Sequence, residues 1–389
     1  MAVPATVTGP SEPPQSGLRH MTLHRAHVIF RHGARTPTKP TPDNFPHVPY
    51  DAALMAHPEH TFVDCHLVDA TGADLTAEVR QVADAEKFGL LTASGARQIF
   101  QLGSQLCAHY AGDRGLVGRT WSGGEVALMS TKRRRCLDSM RALLAGFYGP
   151  QAAGHSFPVS VERQKGYEVL NAPTKCSPYL QRMRSELKDR ADEIVPGKLQ
   201  AHLECQEILG VEEKLPMAVF NDHVRCHDHH GVLPERYSDA RLVKLLTQNA
   251  TATLRSRFER KDHPGHKMKM IKATVGRFLA ILKDGLNPDN ATAEFSMYSS
   301  HDGALVALLL ALGGYLSKWP PFGSHIIFEL WRDDQAVEED QWFVRVMYNW
   351  EALELPACGP DRLCPLDKFL ELLSTHAASK EEHEEICEL

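Results

Sequence analysis

A short apolar run that ends in a basic triplet constrains this chain more than any other feature. Ala26, Val28, Ile29 and Phe30 form the run, and Arg31-His32-Gly33 follows it directly. Such a run indicates a buried strand, and a glycine after it permits a tight turn. We therefore expect the side chains of this triplet to lie at the carboxyl end of a strand.

Predicted strands and helices alternate along much of the remaining chain. Apolar spacing predicts a helix over 91–110, with Thr92 as its cap, then a strand at 126–129 and a helix at 135–148. Further along, the same reasoning predicts helix 274–282, strand 294–299, helix 301–312 and strands 326–330 and 342–348. This order predicts an α/β fold, in which functional groups lie beyond the carboxyl ends of the strands.

Composition divides the chain into three parts. Residues 1–20 are rich in Pro, Ser, Thr and Gly and have no apolar period, which predicts a flexible N-terminal arm. Residues 150–264 are more polar and contain amphipathic helical segments with few strand signals, which predicts a helical cap insertion. Residues 21–149 and 265–389 are predicted to form the α/β catalytic core.

The charge balance and the lack of long apolar stretches exclude several classes of protein. A net charge of -6 argues against a nucleic-acid surface, and we expect no transmembrane segment. The start has no signal-peptide pattern, so we expect an intracellular soluble protein, cytoplasmic or mitochondrial, or a secreted or lysosomal one if a leader is missing. The nine cysteines are expected to be mostly buried thiols, and the oligomeric state is left open.

The first motif, Arg31-His32-Gly33-Ala34-Arg35, places an imidazole between two guanidinium groups. Arginine binds phosphate oxygens through two parallel hydrogen bonds and offsets their charge. An imidazole nitrogen can then attack phosphorus and form a covalent phosphohistidine. This arrangement predicts a phosphatase with His32 as its nucleophile.

A second motif, Ser299-Ser300-His301-Asp302-Gly303, lies between a predicted strand and its helix. By itself Asp302 could be a helix cap, because a carboxylate there accepts hydrogen bonds from free amides. Combined with the first motif, Asp302 is predicted to donate a proton to the departing oxygen. His301 is predicted to donate a hydrogen bond to the phosphate.

A third motif, Ser130 to Arg135, contains four consecutive basic residues between a strand and a helix. Such a run can be a solvated face, but a helix N-terminus at a strand end is also an anion site. We expect one of these arginines to turn inward.

The stretch from Asp222 to His230 has the densest set of metal-ligand side chains. Helical spacing would pair His223 with His227 and Cys226 with His230. The spacing matches no standard zinc motif, so the favoured interpretation is a set of surface or pocket side chains without a metal.

With these motifs the chain resembles the histidine acid phosphatases, branch 2 of the histidine phosphatase superfamily. The resemblance covers most of residues 23–372 and includes Leu91-Thr92, Gly95, Gln98, Leu102 and Gly103. It implies a three-layer α/β/α core like that of phosphoglycerate mutase, with a mainly helical insertion. It also implies a mechanism without a metal or an organic cofactor.

The resemblance assigns a role to each matching residue. It implies that His32 is the nucleophile and Asp302 the proton donor, and that Arg31, Arg35 and His301 bind the phosphate. The family's third arginine follows a Ser-Thr pair by four positions, which selects Arg135. Asp222 aligns with a family segment that approaches the substrate and is a candidate pocket residue.

The substrate and one cysteine pair stay open in the sequence. Segments such as Lys318 to Phe322 resemble members of the branch that act on a lysophospholipid such as lysophosphatidate. The alternatives are a broad acid phosphatase or phytase-like enzyme and a catalytically silent phosphate-binding relative. Five residues separate Cys358 from Cys364, whereas the family's loops are shorter, so their pairing is doubtful.

Overall fold

A computed structural model describes most of the chain. The described residues are 20–43, 45–112, 115–164, 169–171, 177–212, 216–260, 262–290, 292–314, 318–336, 341–359 and 362–388. The predicted arm therefore lies outside them except for its last residue. No helix among them is both long enough and apolar enough to cross a membrane.

The described strands form one mixed sheet in the order β2-β4-β3-β5-β1-β6-β7-β8, and β9 pairs with β7. Their bounds are β1 Met21–Arg31, β2 Asp64–Val68, β3 Val126–Ser130, β4 Ser156–Ser160, β5 Phe295–Ser300, β6 His325–Asp333, β7 Trp342–Tyr348, β8 Glu351–Ala352 and β9 Cys364–Pro365. The first five strands pair in parallel, whereas β6 to β9 pair antiparallel. The sheet thus combines a parallel half with an antiparallel half.

The described helices lie between successive strands along the chain or after the last strand. They are α1 Ala52–Met55, α2 Thr76–Asp84, α3 Ala93–Tyr110, α4 Arg134–Tyr148, α5 Pro178–Asp189, α6 Ala191–Ile194, α7 Lys198–Leu209, α8 Met217–His229, α9 Ala240–Ser256, α10 His266–Ile271, α11 Arg277–Leu286, α12 Asp302–Ala311, α13 Leu366–His376 and α14 Lys380–Cys387. Short 3-10 turns occur at Pro58–His60, Gly149–Ala152 and Glu235–Tyr237, and a π-helical turn, Lys272–Gly276, joins α10 to α11. The helices and strands predicted above are confirmed, with shifts of a few residues at their ends.

The sheet is buried on both faces, which confirms the predicted three layers. Alternate residues of β1 point to opposite faces, as the two-residue period of a strand requires. Val28 and Phe30 pack in a cluster with residues of α3 and α4, whereas Ile29 packs in a second cluster with residues of α11, α12 and α13. Both faces are therefore covered by helices.

One strand, β4, lies inside residues 150–264, the range predicted to form a mainly helical insertion. This strand pairs with β2 along five residues but with β3 only at Met129 and Ser160. Pro158 has no N–H to donate, and the sparse pairing with β3 tolerates it. A proline in so short a run masks the strand signal. From β4 to β5 the described elements are helices and turns, and the division into domains stays a prediction.

A buried carboxylate ties α3 to the antiparallel half of the sheet. Glu329 of β6 is fully buried and accepts hydrogen bonds from Tyr110 at 2.6 Å, Arg345 at 2.6 Å and Trp331 at 2.9 Å. Burial raises its pKa, but His109, Arg345 and Tyr110 outweigh burial and lower the pKa to about 2. Removing one partner of such a buried pair costs roughly 3–5 kcal/mol.

The structure also pairs Cys358 with Cys364 in a disulfide, with their Cα atoms 5.2 Å apart. The spacing of these cysteines had made their pairing doubtful, and the structure corrects that expectation. The strand β9 begins at Cys364 and brings this cysteine back toward the preceding loop. The other described cysteines form no disulfide and are mostly buried, as expected.

Candidate active site

The three sequence motifs meet at one edge of the sheet. Arg31 at the end of β1 lies beside Ser300 at the end of β5, and Ser130 at the end of β3 lies beside Ser299. Because these strands are parallel, the residues that follow each of them emerge on the same side. The parallel topology thus brings together residues as far apart in the sequence as Arg31 and Asp302.

The turn after His32 packs against the first turn of α3. A Cβ atom on Gly33 would lie 2.3 Å from the carbonyl oxygen of Gly95, and one on Gly95 would lie 2.0 Å from that of Ala34. Side chains at these two positions would separate the backbones. The cap residue Thr92 adds a backbone hydrogen bond of 3.1 Å to Ala34, so α3 holds the turn in place.

His32 is buried, with only 2% of its surface exposed. Its Nδ1 lies 2.9 Å from the carbonyl oxygen of Gly33. Since a carbonyl can only accept, Nδ1 carries the hydrogen and Nε2 keeps the lone pair. Burial, followed by the charges of Arg135, Arg31 and Arg35, lowers the pKa of His32 well below its ordinary value. The imidazole is therefore neutral at moderately acidic pH.

Three arginine side chains surround this imidazole. The side chains of Arg31, Arg35 and Arg135 each have a buried Nε–H group without a described hydrogen-bond partner. Buried polar groups are nearly always hydrogen-bonded in native proteins. Three buried donors without partners around one neutral imidazole make this cluster suited to an oxyanion such as phosphate.

The four consecutive basic residues of the third motif contact different groups. Arg135 points to the site, where its guanidinium lies 3.4 Å from Nδ1 of His301. Arg133 instead forms an ion pair of 2.7 Å with Glu86, and Lys132 and Arg134 contact other surface groups. One arginine of the run thus reaches the imidazole pair.

Asp222 anchors Arg35. Its carboxylate lies 2.8 Å from the guanidinium of Arg35 and accepts two further bonds of 2.8 Å from the backbone and hydroxyl of Thr38. Burial raises the pKa of Asp222, but the charge of Arg35 and these hydrogen bonds lower it to about 2. The side chain predicted as a pocket residue therefore contacts a phosphate-binding candidate directly.

Asp302 is held as a carboxylate at the start of α12. Its Oδ2 atom lies 3.1 Å from Arg31 and accepts a bond of 2.8 Å from the indole of Trp319, while Oδ1 accepts from the Gly303 amide at 2.9 Å. Burial raises its pKa, but Arg31 and Trp319 outweigh burial and lower the pKa far below its ordinary value. Asp302 is therefore ionised in the free site.

His301 lies beside His32, with the ring centres 5.5 Å apart. Its Nε2 atom is 3.1 Å from the hydroxyl of Thr131, and its Nδ1 faces Arg135. Burial, followed by the charge of Arg135, lowers its pKa well below the ordinary value. This second imidazole is therefore also neutral, and the geometry connects it to Arg135.

Sequence reasoning missed three side chains that shape the site. The ring of Phe322 lies beneath two guanidinium groups. Its centre is 4.2 Å from the guanidinium of Arg31 and 5.6 Å from that of Arg35. The indole N–H of Trp319 donates a hydrogen bond to Asp302, and the guanidinium of Arg225 lies over the Trp319 ring, 5.0 Å from its centre. The first two precede β6, whose antiparallel pairing with β1 returns the chain to the same edge. The segment Lys318 to Phe322 was noted for its family resemblance, but no local pattern placed its aromatic side chains at the site.

A pocket of about 270 Å³ opens from Asp302, Gly303 and Trp319 into the helical region between β4 and β5. Its walls come from α5, the end of α9, and α10. The lining side chains that are apolar are Leu180, Met183, Leu187, Leu254, Phe258 and Met270. A largely apolar pocket with a few polar groups is typical of a site for an organic ligand.

The stretch from Asp222 to His230 lies mostly on α8. His223 and His227 lie one helical turn apart, as their spacing predicted, and their rings meet edge-on with the ring centres 5.5 Å apart. The described residues contain one group with three converging ligand atoms, Glu186, Asp262 and His263, and it lies outside this stretch. Its carboxylates already form ion pairs with Arg260.

Comparisons with known proteins agree with the resemblance in the sequence. A family model described as histidine phosphatase superfamily (branch 2) matches residues 22–349. Lysophosphatidic acid phosphatase type 6 of Mus musculus is 30% identical over 94% of this chain and 88% of its own. Lysosomal acid phosphatase of Rattus norvegicus is 28% identical over 73% and 69%. The phytase of Citrobacter braakii has the same fold, with a TM-score of 0.62 at 16% identity over 92% and 99%.

Replacing Asp222 by Asn should expose the dependence of Arg35 on its partner. The change leaves a buried guanidinium without its counter-charge, so we expect the free energy of unfolding at pH 7 to fall by about 3 kcal/mol. Inorganic phosphate should restore more stability to this variant than to the wild type, because a phosphate can neutralise Arg35. Urea denaturation with and without phosphate measures both effects.

The matched control is Asp228→Asn, an exposed position on the same helix. Because the pKa of Asp222 is lowered to about 2, its contribution is present above pH 4 in the wild type and is lost as pH falls toward 2. Equal stability of Asp222→Asn and the wild type at pH 7 would contradict the assignment.

Proposed function

The chain belongs to the histidine phosphatase superfamily, branch 2, and is a histidine acid phosphatase, and from this premise we propose that it hydrolyses lysophosphatidate to monoacylglycerol through a phosphohistidine. The observation that supports this proposal most is the neutral His32 imidazole among three arginines whose buried Nε–H groups have no hydrogen-bond partner among the described residues. These groups match what a phosphate ester needs in order to be bound and attacked.

The proposed first step forms a bond between Nε2 of His32 and phosphorus. The hydrogen bond from Nδ1 to Gly33 leaves the Nε2 lone pair free for attack. Arg31, Arg35 and Arg135 neutralise the phosphoryl oxygens as negative charge shifts onto them in the transition state. The bond between phosphorus and the leaving oxygen breaks, and that oxygen must receive a proton.

We assign this proton transfer to Asp302, although it is ionised in the free site. A phosphate monoester has a second pKa near 6, so at acidic pH it enters as a monoanion with one proton. Its negative charge beside the carboxylate raises the pKa of Asp302 and competes for Arg31, so Asp302 takes up the proton and passes it to the leaving alcohol. In the second step the carboxylate accepts a proton from the water that attacks the phosphohistidine. Activity should therefore be highest at acidic pH and fall above pH 6 or so.

The apolar pocket beside Asp302 supports a lipid substrate. An acyl chain that enters between α5 and α9 would contact Leu180, Met183 and Phe258. Burial of aliphatic carbon stabilises binding by about 0.8 kcal/mol for each CH₂ group. The relatives named lysophosphatidic acid phosphatase type 6 favour the same substrate.

A broad acid phosphatase or phytase-like activity is the alternative, and the relative named lysosomal acid phosphatase favours it. The phytase likeness concerns the fold alone. A catalytically silent phosphate-binding relative is disfavoured, because His32, Asp302 and the arginines lie together at one edge of the sheet.

Cellular location stays a prediction. The expectation from the sequence is an intracellular protein, cytoplasmic or mitochondrial. The disulfide between Cys358 and Cys364 and the lysosomal relative favour the alternative of a secreted or lysosomal enzyme.

A substrate comparison tests the proposed function. We expect phosphate release from lysophosphatidate at pH 5 to have a kcat/KM at least tenfold above that for inositol hexakisphosphate or phenyl phosphate. His32→Ala should abolish release from all three. Met183→Gln in the pocket should lower kcat/KM for the lipid several-fold but not for phenyl phosphate, because only the chain contacts this wall.

Ser185→Gln, at an exposed position of the same helix, is the control for Met183→Gln. Equal or better use of inositol hexakisphosphate would replace the lipid assignment by the broad alternative. Full activity of His32→Ala would refute the assigned nucleophile.

The role of Asp302 has a separate test based on the leaving group. An alkoxide leaves poorly without a proton, whereas 4-nitrophenolate leaves readily. We expect Asp302→Asn to lower kcat by a factor of roughly 100 to 10,000 for lysophosphatidate and far less for 4-nitrophenyl phosphate. Equal losses for the two substrates would show that Asp302 does not donate the proton.

A further inference from the structure

The pocket beside Asp302 contains three arginines that differ in their partners. Arg260 is neutralised, because its guanidinium lies 2.8 Å from Asp262 and 3.0 Å from Glu186. Arg184 and Arg257 line the same pocket, and no described carboxylate forms an ion pair with either side chain. One pocket thus contains a paired cation and two that lack a described counter-charge.

The two arginines come from different walls. Arg184 lies on α5, and Arg257 caps the end of α9. Both residues are exposed to the solvent. The surrounding protein and the nearby charge of Arg184 lower the pKa of Arg257, while the carboxylate of Asp302 raises it. The two guanidinium groups therefore repel each other across the pocket, within electrostatic reach of Asp302.

Asp302 does not serve as their counter-charge. Its Oδ2 atom already binds Arg31 and Trp319, and its Oδ1 binds the amide of Gly303. Asp222, the other carboxylate near the site, is bound to Arg35. A single phosphate at His32 meets Arg31, Arg35 and Arg135 and leaves the charges of Arg184 and Arg257 unmatched.

We propose that Arg184 and Arg257 form a subsite for a second anionic group, a carboxylate or a phosphate, on the apolar body of a phosphomonoester substrate. This inference rests on the proposed phosphomonoesterase function and extends its substrate range. Lysophosphatidate has one anionic group, so it uses the apolar walls and leaves the subsite empty. A monoester with a second anion separated from the phosphate by a short apolar linker uses both.

Matched pairs of substrates test the subsite. Alkyl phosphates with four, six and eight carbons are compared with the same chains that end in a carboxylate. A charge-assisted hydrogen bond contributes about 1.5–3 kcal/mol, which corresponds to roughly a 10- to 100-fold effect. We expect the wild type to favour the carboxylate form by such a factor in kcat/KM at one chain length, and that length measures the distance between the two sites.

Arg257→Gln should remove this preference by lowering kcat/KM for the carboxylated chains far more than for the plain alkyl phosphates, and Arg184→Gln should reduce it. Arg257→Lys should restore part of it. The control is Arg255→Gln, two residues away on α9, where the guanidinium pairs with Glu259. It removes the same charge from the same helix and should keep the preference.

Two outcomes overturn the proposal. One is equal use of plain and carboxylated chains by the wild type at every length, and the other is an unchanged preference in both Arg257→Gln and Arg184→Gln. Failure to hydrolyse any of the alkyl phosphates would instead refute the phosphomonoesterase function on which the subsite rests. Thermal unfolding of each variant shows that a lost preference does not come from a lost fold.

Discussion

The burial of positive charge around one neutral imidazole is the constraint on which the rest of the site depends. Arg31 and Arg35 are almost completely buried, and each would be destabilising without a partner. Asp302 and Asp222 neutralise one arginine each, and the face of Phe322 contacts both guanidinium groups. Burial and the same charges together lower the pKa of His32 and keep it unprotonated, so the arrangement that binds an anion also leaves a nucleophilic nitrogen free.

The parallel half of the sheet made much of this site predictable. The residues after β1, β3 and β5 had to emerge at one edge, so Arg31, His32 and Asp302 were expected to meet there. The inward turn of Arg135 came from the resemblance and could not be read from four consecutive basic residues. Asp222 was expected to be a pocket residue, and the sequence could not reveal that it binds Arg35, because this contact depends on how its helix packs against the loop after His32.

Other features depend on tertiary contacts that periodicity does not encode. Trp319 and Phe322 reach the site because β6 runs antiparallel to β1, and no local pattern marks that return. The strand β4 was missed because Pro158 interrupts a run of five residues. The chemistry thus resides at the sheet edge, whereas substrate choice resides in the helices between β4 and β5, whose packing the sequence predicts poorly.

The position of the phosphoryl group on His32 tests the central claim most directly. The enzyme is mixed with a radiolabelled phosphomonoester, quenched in alkali within milliseconds, and digested so that the phosphorylated peptide can be identified. The account predicts phosphohistidine in the peptide that contains His32, with phosphorus on Nε2, because Nδ1 is bound to the carbonyl of Gly33. Phosphate on Nδ1, on another residue, or on no residue during turnover would contradict it.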